Sequence, residues 1–384
     1  MSAKMVQFLG MCLVALALVD VFLTVLYARI GTGLSTPCIA RGMWWLFKRV
    51  AGWFPRWCNG ILSFGAPVTL VVIASVWVQA TIIGIALILW PGLSNGGIVA
   101  ADGHTPTDFI TAYYYSGDNL TTVGNGDLNA KGRFYMLVTV FTSIVGMCLI
   151  TLTVTYLLEI YSALHRRNAF AVSLHHETSA TGDAVEKVMA LGPNSDFEGA
   201  RADLQNIASR LVDLYETHHF FWIVTYFRFR ESFYALSRVL LVSMEIVTII
   251  RTALSEKRHS SLIQCGPVTE IWNSGMHLLT HFSDVYLPRP PSHVPGELDE
   301  RREELWRLRY REVVMKLRGA GIETTEDPEA GEMQYVSMRK EWDRYVRGFA
   351  HYMMHTMDEI DPALAHVKRS AEVREEAVVG RSAA

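Results

Sequence analysis

The sequence predicts an all-α membrane protein with a further helical domain behind its membrane part. Three observations carry this class. The runs Met5–Tyr27, Leu62–Trp90 and Phe134–Ala163 are each long enough for the roughly 20 residues that a bilayer crossing needs. A short amphipathic run, Thr107–Leu120, and a glycine-containing stretch lie between the second and third of them. From Asn168 onward the chain turns charged, with apolar residues at helical spacing. Half of the 384 residues are hydrophobic and 19% are charged, which suits membrane helices joined to an aqueous part. A net charge of −3 gives no signal of a nucleic-acid partner. The cysteines, Cys12, Cys38, Cys58, Cys148 and Cys265, are scattered without CxxC spacing, so neither a disulfide framework nor a zinc site is expected.

The first run lacks a small-residue cleavage site and exceeds the apolar core of a signal peptide, so it reads as a retained span. Asp20 interrupts it. A carboxylate at membrane depth is costly unless it faces protein or water, which makes Asp20 a functional candidate. The alternative is a buried residue near the span's end, hydrogen-bonded to Thr24 one turn on. Residues 28–60 then mix Arg29, Arg41, Lys48, Arg49 and Arg56 with Trp44, Trp45, Phe47, Trp53, Phe54 and Trp57. That mixture suits a helix lying in the membrane interface, ended by Pro55, or else a snorkelling loop.

In the second run Pro67–Trp90 would measure about 35 Å as a helix, enough to span. Pro91 and the glycine-rich residues 92–97 are expected to end it, leaving an exposed loop up to Thr105. Thr105-Pro106-Thr107-Asp108 reads as a helix start, with a capping threonine, proline at the first position and an early acid. The helix that follows, to about Asn119, is too short to span. The third run closes on His165, Arg166 and Arg167. Basic residues thus gather in the 28–60 loop and after the third span, with Asp102, Asp108, Asp118 and Asp127 between the second and third. The positive-inside rule places the N-terminus outside and residues 164–384 in the cytoplasm of a cell carrying this multi-pass protein in its plasma or inner membrane.

Beyond Asn168, Leu204, Ile207, Leu211 and Leu214 mark an amphipathic helix. Phe220–Leu254 is apolar, but its longest stretch free of Arg228 and Arg230 still holds Arg238 and Glu245. Inserting two central charges would cost about 5–7 kcal/mol, so the run reads as buried core of the cytoplasmic domain. A proline-rich linker, Pro288–Gly296, precedes a charged helix over Glu297–Arg318. An acidic loop, Glu323–Glu332, leads to a last helix over about Gln334–Met357, and the end from Val367 reads as a disordered tail. The domain plan is 1–60 for the first span and interfacial linker, 61–163 for the second span to the third, and 164–384 for the helical domain.

The chemistry concentrates in Thr121-Thr122-Val123-Gly124-Asn125-Gly126-Asp127. Two glycines spaced by one residue adopt backbone angles that side chains resist, and alternation of such residues points consecutive carbonyls the same way. In a ring of identical strands those carbonyls can replace the water around a small cation. This stretch resembles the selectivity filter of the potassium-channel pore-loop superfamily, with Asn125 where tyrosine or phenylalanine is usual. The likeness covers about residues 62–163 and implies a re-entrant pore helix between an outer and an inner helix. It implies ion binding by Thr122, Val123, Gly124, Asn125 and Gly126, and filter support from Tyr114, Tyr115, Asp118 and Asp127. Asp118 would hydrogen-bond near Asp127. Gly146 falls where many inner helices of the family flex, though a close helix contact would also explain it. Helical spacing from there puts Met147, Ile150, Val154 and Leu158 on one face as cavity lining.

One loop supplies a quarter of the coordinating ring, so the resemblance implies a homotetramer in a lipid bilayer, no enzymatic activity and no cofactor beyond permeant K+. The expected function is a potassium-permeable cation channel. Alternatives are a poorly selective monovalent cation channel and a non-conducting membrane anchor for a helical interaction domain. Asn125 lacks the aromatic body that would pack on Tyr114 and Tyr115, which implies a looser ring and weaker discrimination. His277–His281 and His351–His355 are i,i+4 pairs without the glutamate of HExxH, a weak signal for metal. No GxGxxG follows a strand, and no span carries regularly spaced arginines, so a dinucleotide module and a voltage sensor are not expected.

Overall fold

The computed structural model describes residues 2–27, 33–287 and 297–382. Arg29 and the proline-rich linker at 288–296 lie outside the described residues. Among the described residues the fold is all-α apart from one small hairpin, and three helices are long and apolar enough to cross a membrane: Ala3–Leu26, Gly65–Ser94 and Arg133–Glu177. By compactness the chain divides into two units. One is Met1–Ala163 with His219–Phe227, and the other is Leu164–His218 with Arg228–Ala384.

In the first unit, the first span packs along the second span, Gly65–Ser94, and small residues let the two approach. A Cβ on Gly10 would come 2.4 Å from the Gly84 carbonyl oxygen, and one on Gly84 2.7 Å from Val14 Cγ2. Pro67 sits in the first turn of the second span, where amides have no partner within the helix, and so removes no bond. The helix runs through Pro91 and ends inside the glycine-rich stretch that the sequence marks as its stop. The break comes at Asn95 and the left-handed Gly96 (φ 75°). Residues read as an open loop instead contain a strand: Ile98–Ala100 pairs antiparallel with Leu128–Ala130, Val99 opposite Asn129. This hairpin brackets everything between 101 and 127. Tyr135, in the first turn of the third span, lies against Gly92 and Gly97 and accepts a hydrogen bond from Asn95 Nδ2 (3.1 Å).

Asp20 is buried, and its partners are not Thr24. Its carboxylate accepts from the Leu34 and Ser35 amides (2.5 and 3.0 Å), the Ser35 and Thr36 hydroxyls (2.5 and 3.0 Å) and Trp77 Nε1 (2.9 Å). It thereby ties the first span to the second and to the start of the helix Thr36–Trp53. That helix is amphipathic: Ala40, Trp44 and Ala51 are buried, while Trp45 and Trp53 are exposed beside Arg41 and Arg49.

The second unit is a helical bundle about Leu236–Ala253, in which every residue except Arg251 is buried. Pro328–Tyr352, Gly266–Tyr286, Ala184–Leu191 and Glu297–Gly319 pack around it. The charges that argue against membrane insertion are met inside this bundle. Glu245 accepts from Tyr335 and from Arg339 (3.0 Å), which also pairs with Asp361. Arg238 donates to Ser232 Oγ (3.0 Å) and to the carbonyls of Thr181 and Glu359. Phe220–Leu254 is nevertheless not one core segment: residues up to Phe227 belong to the first unit. The last helices also differ from expectation. Asp327 caps Pro328–Tyr352, so much of the expected acidic loop is helix, and Pro362–Ser382 is helical where a disordered tail was expected from Val367.

Asp183 illustrates how the bundle is held. It caps Ala184–Leu191 through the Val185 amide (3.0 Å) and pairs with buried Arg309 and with Lys316 (2.9 Å). Burial pushes its carboxyl up, but Arg309 and Lys316 outweigh that and hold it below the usual carboxylate range. A carboxylate with a depressed folded pKa stabilises above its unfolded value, about 3.9, and loses that contribution as pH falls through the folded one. Thermal melts of the detergent-solubilised protein should therefore show Asp183→Asn less stable than wild type at neutral pH. The gap should narrow below about pH 4. A gap constant from neutral pH to about pH 3 would show that this ion pair is not linked to stability.

Candidate functional site

The short helix between the second and third spans runs Phe109–Leu120. Its cap is Asp108, not a threonine: Oδ1 accepts from the Thr111 amide (2.9 Å) and Oδ2 from the Thr111 hydroxyl (2.8 Å). These bonds hold the Asp108 carboxyl below its ordinary value. Thr105 Oγ1 instead accepts from the Ala100 amide (2.9 Å), closing the hairpin. Second-span side chains and carbonyls fix the helix along its length. Trp90 Nε1 donates to the Thr107 carbonyl (2.9 Å), Tyr113 donates to Gln79 Oε1 (2.6 Å), and Ser116 Oγ to the Ile82 carbonyl (2.8 Å). Ala112, Tyr115 and Leu120 complete an apolar core with Ile85, Ala86 and Leu89.

The helix aims its C-terminal end at the Thr121–Asp127 stretch. There Thr122 (φ 59°), Gly124 (φ 65°) and Gly126 (φ 79°) are left-handed, and Val123 and Asn125 between them are not. Alternation of hand turns successive peptide groups to a common side, the geometry a carbonyl-lined ion path requires. For threonine, β-branched, the left-handed region is strained by about 1–3 kcal/mol, and such strain persists only where surroundings impose it. Here the Thr122 amide donates to the Asn119 carbonyl (3.2 Å) and the Val123 amide to the Asp118 carbonyl (3.1 Å).

Of the expected support residues, three converge and one does not. Asp118 Oδ1 accepts from the backbone amide of Asn125 (3.1 Å), two residues before Asp127. Asn125 Nδ2 donates to the Tyr114 hydroxyl (2.9 Å), which donates in turn to Asp127 Oδ2 (2.8 Å). Tyr115 is turned away into the core with the second span. Asn125 therefore has a brace, made by hydrogen bonds where the resemblance leads one to look for ring packing. Two supports escaped sequence reasoning. Asn129 Nδ2 donates to the Gly126 carbonyl (3.1 Å), and Ser143 Oγ to the Asn119 carbonyl (3.2 Å). Neither carries a local signal beyond a polar residue near the stretch.

Gly146 is buried in an uninterrupted helix, and a Cβ there would come 1.8 Å from the Leu120 carbonyl oxygen. It is the point where the third span meets the end of the short helix. Met147, Ile150, Val154 and Leu158 are exposed along one face, continuing Leu137, Val140 and Ile144. The histidine pairs have other surroundings. His277 and His281 lie against the Tyr215 ring (4.7 and 5.5 Å), and His355 Nδ1 sits 3.6 Å from Glu359. Among the described residues no three His, Cys, Asp or Glu side chains are grouped to hold a metal.

Residues 71–163 match the profile of a family described as ion channel. The chain is also 24% identical over 290 residues to the uncharacterized membrane protein YdjJ of Bacillus subtilis (strain 168), covering 76% of this chain and 81% of that protein. No solved structure matches.

Proposed function

We propose that the pore-loop ion-channel domain within residues 71–163 forms, as a homotetramer, a potassium-permeable cation pathway lined by the carbonyls of Thr122, Val123, Gly124, Asn125 and Gly126. The observation that carries this reading is the alternation of left-handed residues at 122, 124 and 126 at the end of a short, firmly anchored helix. Carbonyl dipoles on one side of a strand stabilise a dehydrated cation only when several strands share it. The long exposed stripe of the third span, from Leu137 to Leu158, offers the apolar surface for such a ring. Asp118 and Tyr114 act as supports that fix Asn125, and Asp127 closes the brace. The basic residues at 41–56 and at 166–167 favour a membrane orientation with the N-terminus outside and the C-terminal unit in the cytoplasm of the cell.

Purified protein reconstituted into planar bilayers should give unitary currents whose reversal potential in mixed sodium and potassium lies on the potassium side. A non-conducting anchor predicts no current at any composition. Absence of current from protein shown by crosslinking to be tetrameric would refute the channel reading.

A further inference from the structure

Residues 219–227 are contributed to the membrane-helix unit by a part of the chain that otherwise belongs to the other unit. Trp222–Tyr226 form a tight turn in which all five residues are buried, Ile223 and Val224 completely. The turn packs on the second span and its aromatic residues reach two further elements. Tyr226 lies 5.7 Å from the Trp44 ring of the interfacial helix, with Trp222 edge-on behind it at 6.1 Å. Phe221 meets Tyr156 (6.2 Å) and Phe227 meets Tyr161 (6.1 Å), both on the third span. Trp44 is itself wedged at the start of the second span, where a Cβ on Gly65 would stand 3.3 Å from its ring. One nine-residue segment therefore fastens together three membrane elements.

Its hold through Phe221 falls on the buried face of the third span. Tyr156 and Ile160 are buried, whereas Val154 and Leu158 are exposed. Two residues along a helix correspond to about 200° of rotation, so the face that Phe221 holds at Tyr156 lies opposite the stripe assigned above to the cavity, while Phe227 meets half-exposed Tyr161 on that stripe's flank. We propose that residues 219–227 are a gating strap that holds the far ends of the third spans away from the pore axis. With Val154 and Leu158 facing that axis, the tether of Phe221 to Tyr156 on the opposite face resists inward movement. Loosening the tether lets these ends approach one another and narrows the inner mouth. The strap's role in gating rests on the proposed channel function, but its mechanical part does not.

The test uses full-length protein carrying Phe221→Ala, with Phe221→Leu as a variant that keeps the bulk. In bilayers Phe221→Ala should lower open probability roughly threefold to tenfold, the equilibrium weight of an aromatic contact, with unitary conductance unchanged. In detergent, amide hydrogen exchange over 154–163 should quicken in the same variant while that of 109–120 stays as in wild type, and Phe221→Leu should restore most of both effects. Open probability that is unchanged or raised overturns the gating strap. If wild type carries no current, the channel reading fails on its own, and hydrogen exchange over 154–163 left at the wild-type rate overturns the strap as well.

Discussion

Gly146→Ala is expected to prevent recovery of folded, conducting protein. The added methyl would stand 1.8 Å from the Leu120 carbonyl oxygen and 2.8 Å from its carbonyl carbon, both backbone atoms at the end of the short helix. No rotamer relieves such a clash. Either the third span moves away, or the helix end and the Thr121–Asp127 stretch behind it shift. Overpacking of this kind usually costs about 1–3 kcal/mol, and a backbone partner puts this case at or above the upper end. A reading of Gly146 as a flexing point predicts something different: normal assembly with altered opening and closing. Size-exclusion profiles of the alanine variant beside Met147→Ala, which changes an exposed neighbour, would separate the two. A tetramer of normal yield with changed kinetics would reject the close-contact account.

The second large effect concerns discrimination between cations. Tyr114→Phe removes the one hydroxyl that links Asn125 to Asp127. Hydrogen bonds to a charged group contribute about 1.5–3 kcal/mol, and a factor of ten in relative permeability corresponds to about 1.4 kcal/mol. Tyr114→Phe should thus reduce the potassium-to-sodium permeability ratio about tenfold while leaving current intact, because the backbone oxygens remain. Asn125→Ala should do the same, and the double variant should add little, since both changes break the same link. Asn125→Tyr supplies the aromatic body whose lack the resemblance ties to a looser ring. It forfeits the Tyr114 bond, so any gain must come from new ring packing alone. Reversal potentials for the four variants measure these ratios. A wild-type ratio in Tyr114→Phe would show that the brace does not govern selectivity.

Much of the fold was legible because burial in a membrane writes itself into composition. Apolar length gave the three spans, and the charges in Phe220–Leu254 argued rightly against a fourth, since Arg238 and Glu245 are satisfied inside the helical bundle. The Thr-Val-Gly-Asn-Gly stretch, its preceding short helix and their ion-channel likeness were also readable, because two glycines and a helix of fixed length are local features. Helix ends were less so. The stretch 91–97 marks the stop of the second span but not its last residue, Ser94, and Asp108 takes the cap read at the threonine before it.

The sequence by itself determined which segments are long and apolar enough to cross a membrane and where the ion-channel likeness falls. Only the tertiary structure decided what each polar or small residue touches. Asp20 is satisfied by Trp77, 57 residues away, and by the turn at 34–36, not by its own helix. Asn125 is braced by a hydroxyl one helix back, Gly146 is pressed against Leu120, and residues 219–227 leave their neighbours in sequence to pack with Trp44 and Tyr156. The physical reason is common to all four. Periodicity and composition record that a residue is buried, whereas a hydrogen bond or a close contact depends on the relative placement of two separately formed elements, which no local pattern encodes.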